Sequence, residues 1–256
     1  MNTFGSVAKK GILVNNEPSM EGFLLIDKPA GMTSHDVVDR VRRLTGERRV
    51  GHAGTLDPFA TGLLIVGVGR PATREMQKLS GLDKTYDAVF VLGASSDTDD
   101  KTGEITQKPV ADVSIESLTK ALKTFSGEIK QLPPAYSAIK IKGKKMYEAA
   151  RAGKPLSAEP RTVTIHAISN ISLEADRLVS LSIHCSTGTY IRAIARDLGI
   201  VLKGGGYVEN LRRTSIGPFS LEDAHALDVL SQDRIKIFSF QLKHFSNSFD
   251  TDPPLC

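Results

Sequence analysis

The stretch Gly51–Gly62, GHAGTLDPFATG, holds a single carboxylate, Asp57, in a segment with no other acidic or basic charge and several turn-forming glycines. A carboxylate set apart in this way can serve as a nucleophile or a general base, because nothing in its own segment neutralises it. The plainer alternative is a turn, since Asp followed by Pro is a common turn pair. Two further features favour chemistry. In TGTYIRAIARDLG, Thr187–Gly199, the residues Tyr190 and Arg192 fall at the start of a helix that follows a strand, where side chains project from a sheet edge into a cleft. An arginine held there could pair with a buried carboxylate and keep it ionised at neutral pH. Tyr86, in KTYDA, lies on an alternating strand, and taken alone such a tyrosine is more often core. An Asp, an Arg and one or two Tyr, with no histidine base, metal or cofactor, suit nucleophilic chemistry on a nucleic-acid base better than hydrolysis.

Other candidate sites fail on their spacing. SSDTDDKTGE places Asp97 and Asp99 at alternate positions like a calcium loop, but Lys101 takes the third ligand position and the Gly and Glu are misplaced, so an acidic turn is expected. The six histidines include no pair at zinc-site spacing and the cysteines form no CxxC, so no metal is expected. GVGRPA, Gly67–Ala72, lacks the third glycine of a dinucleotide loop and the GKS/T of a P-loop, so no nucleotide cofactor is expected either.

The charge is clustered. Between Lys130 and Lys154 seven basic residues face Glu148 alone, a net of +6 that exceeds the +4 of the whole 256-residue chain. QLPPAYSAIKIKGKKMYEAARAGKPL interleaves Tyr136 and Tyr147 with Lys140, Lys142, Lys144 and Lys145 between the turn signals Pro133, Pro134, Gly153 and Pro155. This is the pattern of an exposed insertion that grips a phosphate backbone, with tyrosines for base or sugar contacts. Its bland alternative is a solvated excursion with no partner. A second basic run, Arg40, Arg42, Arg43, Arg48 and Arg49, precedes Asp57.

Strands and helices alternate around these residues. GFLLIDKP, Gly22–Pro29, is expected as a strand, followed by a helix capped by Thr33 or Ser34 with Val37, Val38, Val41 and Leu44 as its apolar stripe. LLIVGVG, Leu63–Gly69, has the run of a buried strand, and a helix is expected near Pro71–Leu79. Tyr86, Ala88, Phe90 and Leu92 alternate as in a half-buried strand, and Ser114 caps a helix with Ile115, Leu118, Leu122 and Phe125 on one face. Strands near Arg161–Ser169 and Arg177–Ser186, a helix over Thr189–Leu198, a strand around Val208–Ile216 and an amphipathic segment Leu221–Leu230 complete the list. The absence of repeats and the varied helices argue α+β rather than a doubly wound sheet.

The length and the 40% hydrophobic content allow one large domain, or one domain with a small appendage. Two cysteines, Cys185 and the terminal Cys256, give no disulfide framework and fit a reducing compartment. No secretory h-region or membrane span is evident, so a cytoplasmic protein is expected. Residues 1–20 show little periodicity and are expected as a flexible tail.

Six stretches, GFLLIDKPAGMTSHDVV, VGHAGTLDPFATGLL, KTYDAVFVLGASSDTDDKTG, PPAYSAIKIKGKKMYEAARAG, GTYIRAIARDLG and NLRRTSIGPF, resemble in order and spacing the TruB family of tRNA pseudouridine synthases, from about Gly22 to Phe219. The resemblance implies a pseudouridine synthase fold: α+β, with a mixed, mostly antiparallel central sheet flanked by helices and a thumb insertion. It implies a catalytic domain over 21–220, with the thumb at about 130–156. It also implies conversion of the T-loop uridine at tRNA position 55 to pseudouridine, without cofactor or metal, by a flipped base in a pocket that excludes water. Asp57 would be the nucleophile or base at the sugar, Arg192 its ion-pair partner, and Tyr86 the stacking partner of the base and a candidate proton relay. Tyr190 and Leu211 would line the pocket, and His52 would fill space vacated in the T loop. Lys28 and Pro29 would support the active-site loop, and the thumb with Lys140, Lys142, Lys144, Lys145 and Tyr147 would close over the tRNA T arm. The chain departs from the family after its GPF motif, where 221–256 is expected as a short C-terminal segment without a full RNA-binding domain. A monomer with no obligatory protein partner is expected. An RNA chaperone and a guide-RNA-dependent enzyme are the rival readings; the intact Asp57, Tyr86 and Arg192 weigh against the first and the short C-terminal region against the second.

Overall fold

The computed structural model describes residues 21–231, apart from 110–112, 138, 142, 155, 157, 175 and 176. The expected 1–20 tail, most of the C-terminal segment and Lys142 therefore lie outside the described residues, and of Lys140 and Lys145 only the backbone is described.

The first half of the chain runs β1 (Gly22–Lys28), α1 (Ser34–Thr45), β2 (Val50–Ala53), β3 (Thr61–Val68), α2 (Gly69–Gly81), β4 (Lys84–Leu92), β5 (Ala94–Ser96), β6 (Ile105–Gln107) and α3 (Ile115–Lys123). Next come β7 (Gly127–Gln131), β8 (Lys140–Ile141), β9 (Lys144–Lys145), α4 (Met146–Arg151), β10 (Arg161–Leu173) and β11 (Leu178–Cys185). The chain then forms α5 (Ile191–Val201), β12 (Gly206–Ile216), β13 (Phe219–Ser220) and β14 (His225–Ala226). The main sheet has the order β14-β1-β3-β12-β4-β11-β10-β7, with β2 paired to β3 and β13 to β12. Among the described strands of this sheet, only β1 with β14 and β12 with β3 run parallel. This is the mixed, mostly antiparallel α+β sheet expected.

Local chemistry explains the elements nearest the site. Thr33 caps α1 in a capping box with Asp36, and Val37, Val38 and Val41 are buried under the sheet as the stripe predicts. Pro71 sits in the first turn of α2, where its missing N–H costs nothing. β4 alternates buried and less buried residues, with Tyr86, Ala88 and Phe90 inward. Gly62 has φ +102°, and a Cβ there would lie 2.3 Å from the Arg213 carbonyl oxygen, so β3 and β12 approach closely only because this residue lacks a side chain.

One local expectation is corrected. Ile115 is 43% exposed while Leu118, Leu122 and Phe125 are buried, because Ile115 is the first residue of α3, before the helix meets the core. The amphipathic segment Leu221–Leu230 takes the form of two 3-10 turns flanking β14, which pairs with β1 and takes its backbone hydrogen bonds from the sheet.

Candidate active site

The Gly54–Ala60 loop joins β2 to β3, and its hydrogen bonds fix where Asp57 points. The Ala60 N–H donates to the Asp57 carbonyl at 3.1 Å, closing a turn with Pro58 at its second position. The turn reading holds for the Asp57 backbone, and the same residue's carboxylate faces a cavity. Ser34, buried at the start of α1, accepts from Leu56 N–H at 2.9 Å and donates to its carbonyl at 3.2 Å. Lys28 is fully buried; its Nζ donates to the carbonyls of Pro29 (2.8 Å) and Met32 (2.7 Å) and reaches toward that of Pro58 (3.4 Å). Burial lowers the Lys28 ammonium to about 8, against the pull of Asp57.

Asp57 meets Arg192 across the cavity. Arg192 NH2 donates to Asp57 Oδ1 at 3.1 Å, and Nε lies 2.9 Å from Oδ2, off the hydrogen-bond axis and so an ion-pair contact. The guanidinium is only 4% exposed and makes further contacts: NH1 to the Thr98 carbonyl at 2.8 Å, NH2 to the Tyr136 carbonyl at 2.9 Å and NH1 to Asp100 Oδ2 at 3.4 Å. Burial pushes the Asp57 carboxyl above its ordinary value; Arg192 opposes this and Asp100 adds to it. The carboxylate side chain remains 34% exposed, its open side facing the cavity.

The cavity measures about 300 Å³ and is lined by Asp57, Tyr86, Tyr190, Arg192 and Leu211, together with residues the sequence did not single out, among them Lys84 and Arg213. Tyr86 is 7% exposed, and burial raises its phenol, so the hydroxyl stays protonated at neutral pH. Arg213 pairs with Tyr86 across the β12–β4 ladder, and its buried guanidinium donates to the carbonyls of Leu63 (2.8 Å) and Gly54 (2.9 Å), tying the Asp57 loop to the sheet. Leu211 is the cross-strand partner of Ala88. Tyr190 is the N-cap residue of α5, and its backbone is clamped by the buried Gln131, which accepts from its N–H at 2.8 Å and donates to its carbonyl at 3.1 Å. Burial lowers Lys84 to about 8, and its Nζ donates to the Ser80 carbonyl at 2.7 Å. Cys185 is a buried free thiol that burial pushes up to about 11, which removes it as a nucleophile at neutral pH.

His52, Lys28, Pro29 and Tyr147 do not line this cavity. His52 is on β2, half-buried; burial lowers its imidazole from the ordinary value, and Nδ1 is buried without a partner among the described residues. The segment expected as a thumb leaves the sheet after Gln131 as the β8–β9 hairpin and α4, and returns at Arg161. Its base is tied to the site: Tyr136 accepts from Arg192, and Ser137 accepts from Tyr147 N–H at 3.1 Å and donates to the Met146 sulfur at 3.4 Å. Lys144 is exposed on the hairpin.

The acidic turn at 97–100 is a turn, but not a solvated one. Asp100 is 4% exposed and accepts from Thr98 Oγ1 and Thr102 N–H while facing Arg192. Asp99, at φ +61°, holds Arg196 at 3.0 Å. Its sequence neighbours gave no sign of this, because local acidity looks the same on a surface loop as beneath a helix. The closest available signal was the pair of arginines, Arg192 and Arg196, one turn apart on α5.

The family model for the TruB family pseudouridylate synthase N-terminal domain matches residues 42–191, and that for the tRNA pseudouridylate synthase B C-terminal domain matches 192–237. The chain belongs to the TruB family. A tRNA pseudouridine synthase B of Thermobifida fusca is 46% identical over 221 residues, 83% of this chain and 75% of the relative. One from Mycobacterium tuberculosis is 45% identical over 215 residues, 82% and 72% of the two chains. Among solved structures, a Cbf5-Nop10-Gar1 complex matches with a TM-score of 0.64 at 29% identity, covering 90% of this chain and 57% of that one. An H/ACA RNP bound to a substrate RNA containing 2'-deoxyuridine matches with a TM-score of 0.62 at 27% identity, covering 89% and 56%. The present chain thus spans a little over half the length of these solved chains. As a TruB-family member it is an isomerase that forms pseudouridine in tRNA. No helix among the described residues is long and apolar enough to cross a membrane.

Proposed function

We propose that this TruB-family enzyme acts on the uridine at position 55 in the T loop of tRNA, with Asp57 as the essential group. The observation that carries this reading is Arg192 in contact with both Asp57 carboxylate oxygens at the edge of a cavity shared with Tyr86 and Leu211. A space of about 300 Å³ suits one extruded nucleotide rather than a duplex.

The reaction breaks the N1–C1′ glycosidic bond, turns the uracil in place, and joins C5 to C1′; the C5 proton leaves to solvent and N1 regains one. No electrons are gained or lost overall. Asp57 acts at the ribose as nucleophile or base, held ionised by Arg192. Tyr86 stacks on the base and presents a protonated hydroxyl; Leu211 packs against the ring and Tyr190 closes the wall. Lys28, Pro29 and Ser34 hold the Asp57 loop, and His52 occupies T-loop space as a neutral ring. Lys140, Lys142, Lys144, Lys145 and Tyr147 meet the phosphate backbone of the T arm. The enzyme works as a monomer in the cytoplasm, with no obligatory protein partner.

The test is to treat a tRNA transcript with the enzyme and map pseudouridine by carbodiimide-dependent reverse-transcription stops. One stop at position 55, lost in a U55C transcript and lost with Asp57→Asn, is expected. Modification elsewhere with position 55 untouched contradicts the assignment.

A further inference from the structure

Asp83, His166 and His184 are far apart in sequence but meet at one corner of the sheet, with one donor atom from each within 4.8 Å of the others. His166 Nε2 lies 3.1 Å from Asp83 Oδ2, and the two imidazole centroids are 4.8 Å apart with the rings tilted by 42°. Strand register builds the cluster. Thr85 pairs with His184, so Asp83, two residues before Thr85, points to the same face. Between β10 and β11 the register shifts: Ile165 faces Cys185 and Ala167 faces His184, leaving His166 as the extra residue. A bulge of this kind re-aims a side chain, and here it brings His166 alongside His184. The spacing rules that excluded zinc apply to ligands close in sequence, whereas this cluster is made by pairing across three strands.

The geometry is that of a partly assembled metal site. Zinc takes imidazole nitrogen and carboxylate oxygen at about 2.0–2.2 Å, so tetrahedral donors stand about 3.3 Å apart. The Asp83–His166 pair is already near that separation, and His184, on an exposed side chain, has freedom to close the remainder. Two imidazoles with a carboxylate favour zinc or cobalt over magnesium or calcium, which take oxygen ligands. The His166 and Asp83 side chains are 35% and 45% exposed, so an ion has an open path in. None of the three lines the Asp57 cavity, although Lys84, next to Asp83, does.

We propose that Asp83, His166 and His184 form a structural site for one divalent transition-metal ion of the zinc class, with a fourth position open to water. A bound ion fastens the start of β4 to β10 and β11, and so fixes the strand that carries Lys84 and Tyr86 into the cavity.

The test uses the untagged full chain, stripped with chelator and dialysed, titrated with Zn²⁺ by calorimetry and with Co²⁺ by visible absorption. Expected are one ion per chain, cobalt bands of a four- or five-coordinate site, and a Tm that rises with added Zn²⁺. His166→Ala and His184→Ala should each weaken binding by at least about tenfold, while His35→Ala leaves it unchanged. His166→Gln, which keeps a polar side chain on the bulge, is the second variant and should weaken binding likewise; circular dichroism checks that each variant is folded. No saturable one-to-one binding up to about 1 mM overturns the proposal. Binding that survives loss of both histidines, or that His35→Ala weakens equally, also overturns it.

Discussion

The Arg192 guanidinium lies 2.9 Å from Asp57 Oδ2, and the same group reaches the carbonyls of Thr98 and Tyr136 and the carboxylate of Asp100. One buried side chain therefore joins the Asp57 loop, the acidic turn after β5 and the base of the thumb. A planar fork with several donors can span these partners, whereas a point charge on a flexible stem cannot.

Arg192→Lys is accordingly expected to lower single-turnover rate by at least about 100-fold, the scale of losing a preorganised electrostatic contact, while T-arm hairpin affinity changes little. Arg192→Met also leaves Asp57 and the buried Asp100 without their shared cation and should lower stability by about 3 kcal/mol in urea unfolding; the open side of Asp57 keeps this at the lower end of the range for broken buried pairs. Equal loss of affinity and rate would place Arg192 in RNA binding instead.

The acid limb of the pH–rate profile follows from the neighbours of Asp57. Burial raises its carboxyl and the Asp100 charge raises it further, so the limb should have a midpoint above the ordinary aspartate value of about 3.9. Asp100→Asn removes one of the raising charges and should move that midpoint to lower pH, even as it lowers the plateau rate by loosening Arg192. A midpoint that moves upward or stays put would show that another group controls the limb.

Lys28 gives a stability prediction whose sign can be worked out. Its folded value is about 8 against 10.5 unfolded, so between those values the unfolded chain binds more protons and stability rises with pH. The cost of burying the charged ammonium is present below pH 8 and is relieved as pH climbs toward 10.5. Relative to Lys28→Met, the wild-type chain should gain about 2 kcal/mol between pH 7 and pH 9.5 in urea unfolding. Lys84 titrates in both proteins and cancels in the difference. A flat difference would mean that Lys28 is not desolvated.

Much of this architecture is legible from local rules. The Thr33 cap, the α1 stripe and the β4 alternation depend on neighbours within a few residues, which a sequence displays directly. Asp57, Tyr86, Tyr190 and Arg192 stand out in the sequence itself, Leu211 enters through the family resemblance alone, and the structure gathers all five round one cavity. What was not legible depends on where distant elements land. Asp100 looks like a solvated turn residue until α5 brings Arg192 over it, and Arg213 looks like a surface strand arginine until the close approach at Gly62 buries it against the Asp57 loop. Gln131 and Ser34 act on backbone groups far from them in sequence, a role no side-chain pattern displays. The amphipathic pattern of Leu221–Leu230 names no element, and pairing with β1 decides its conformation.

The thumb predicts a salt signature. Lys142→Glu, Lys144→Glu and Lys145→Glu together should weaken T-arm binding and reduce the slope of log affinity against log salt by about 2, three phosphate contacts at the single-strand value each. Fluorescence anisotropy of a labelled hairpin across salt concentrations reads both. Tight binding with an unchanged slope would remove the thumb lysines from the interface.

The central claim is that Asp57 is the group on which uridine isomerisation depends. Tritium release from C5-labelled uridine in a T-arm hairpin, compared between the wild-type chain and Asp57→Asn, tests it most directly, because C5 loses its proton only when the base has been detached and rejoined. The account predicts stoichiometric release by the wild type and none by Asp57→Asn, with hairpin binding retained by both. Release that continues in Asp57→Asn, or no release by either protein while both bind the hairpin, would contradict it.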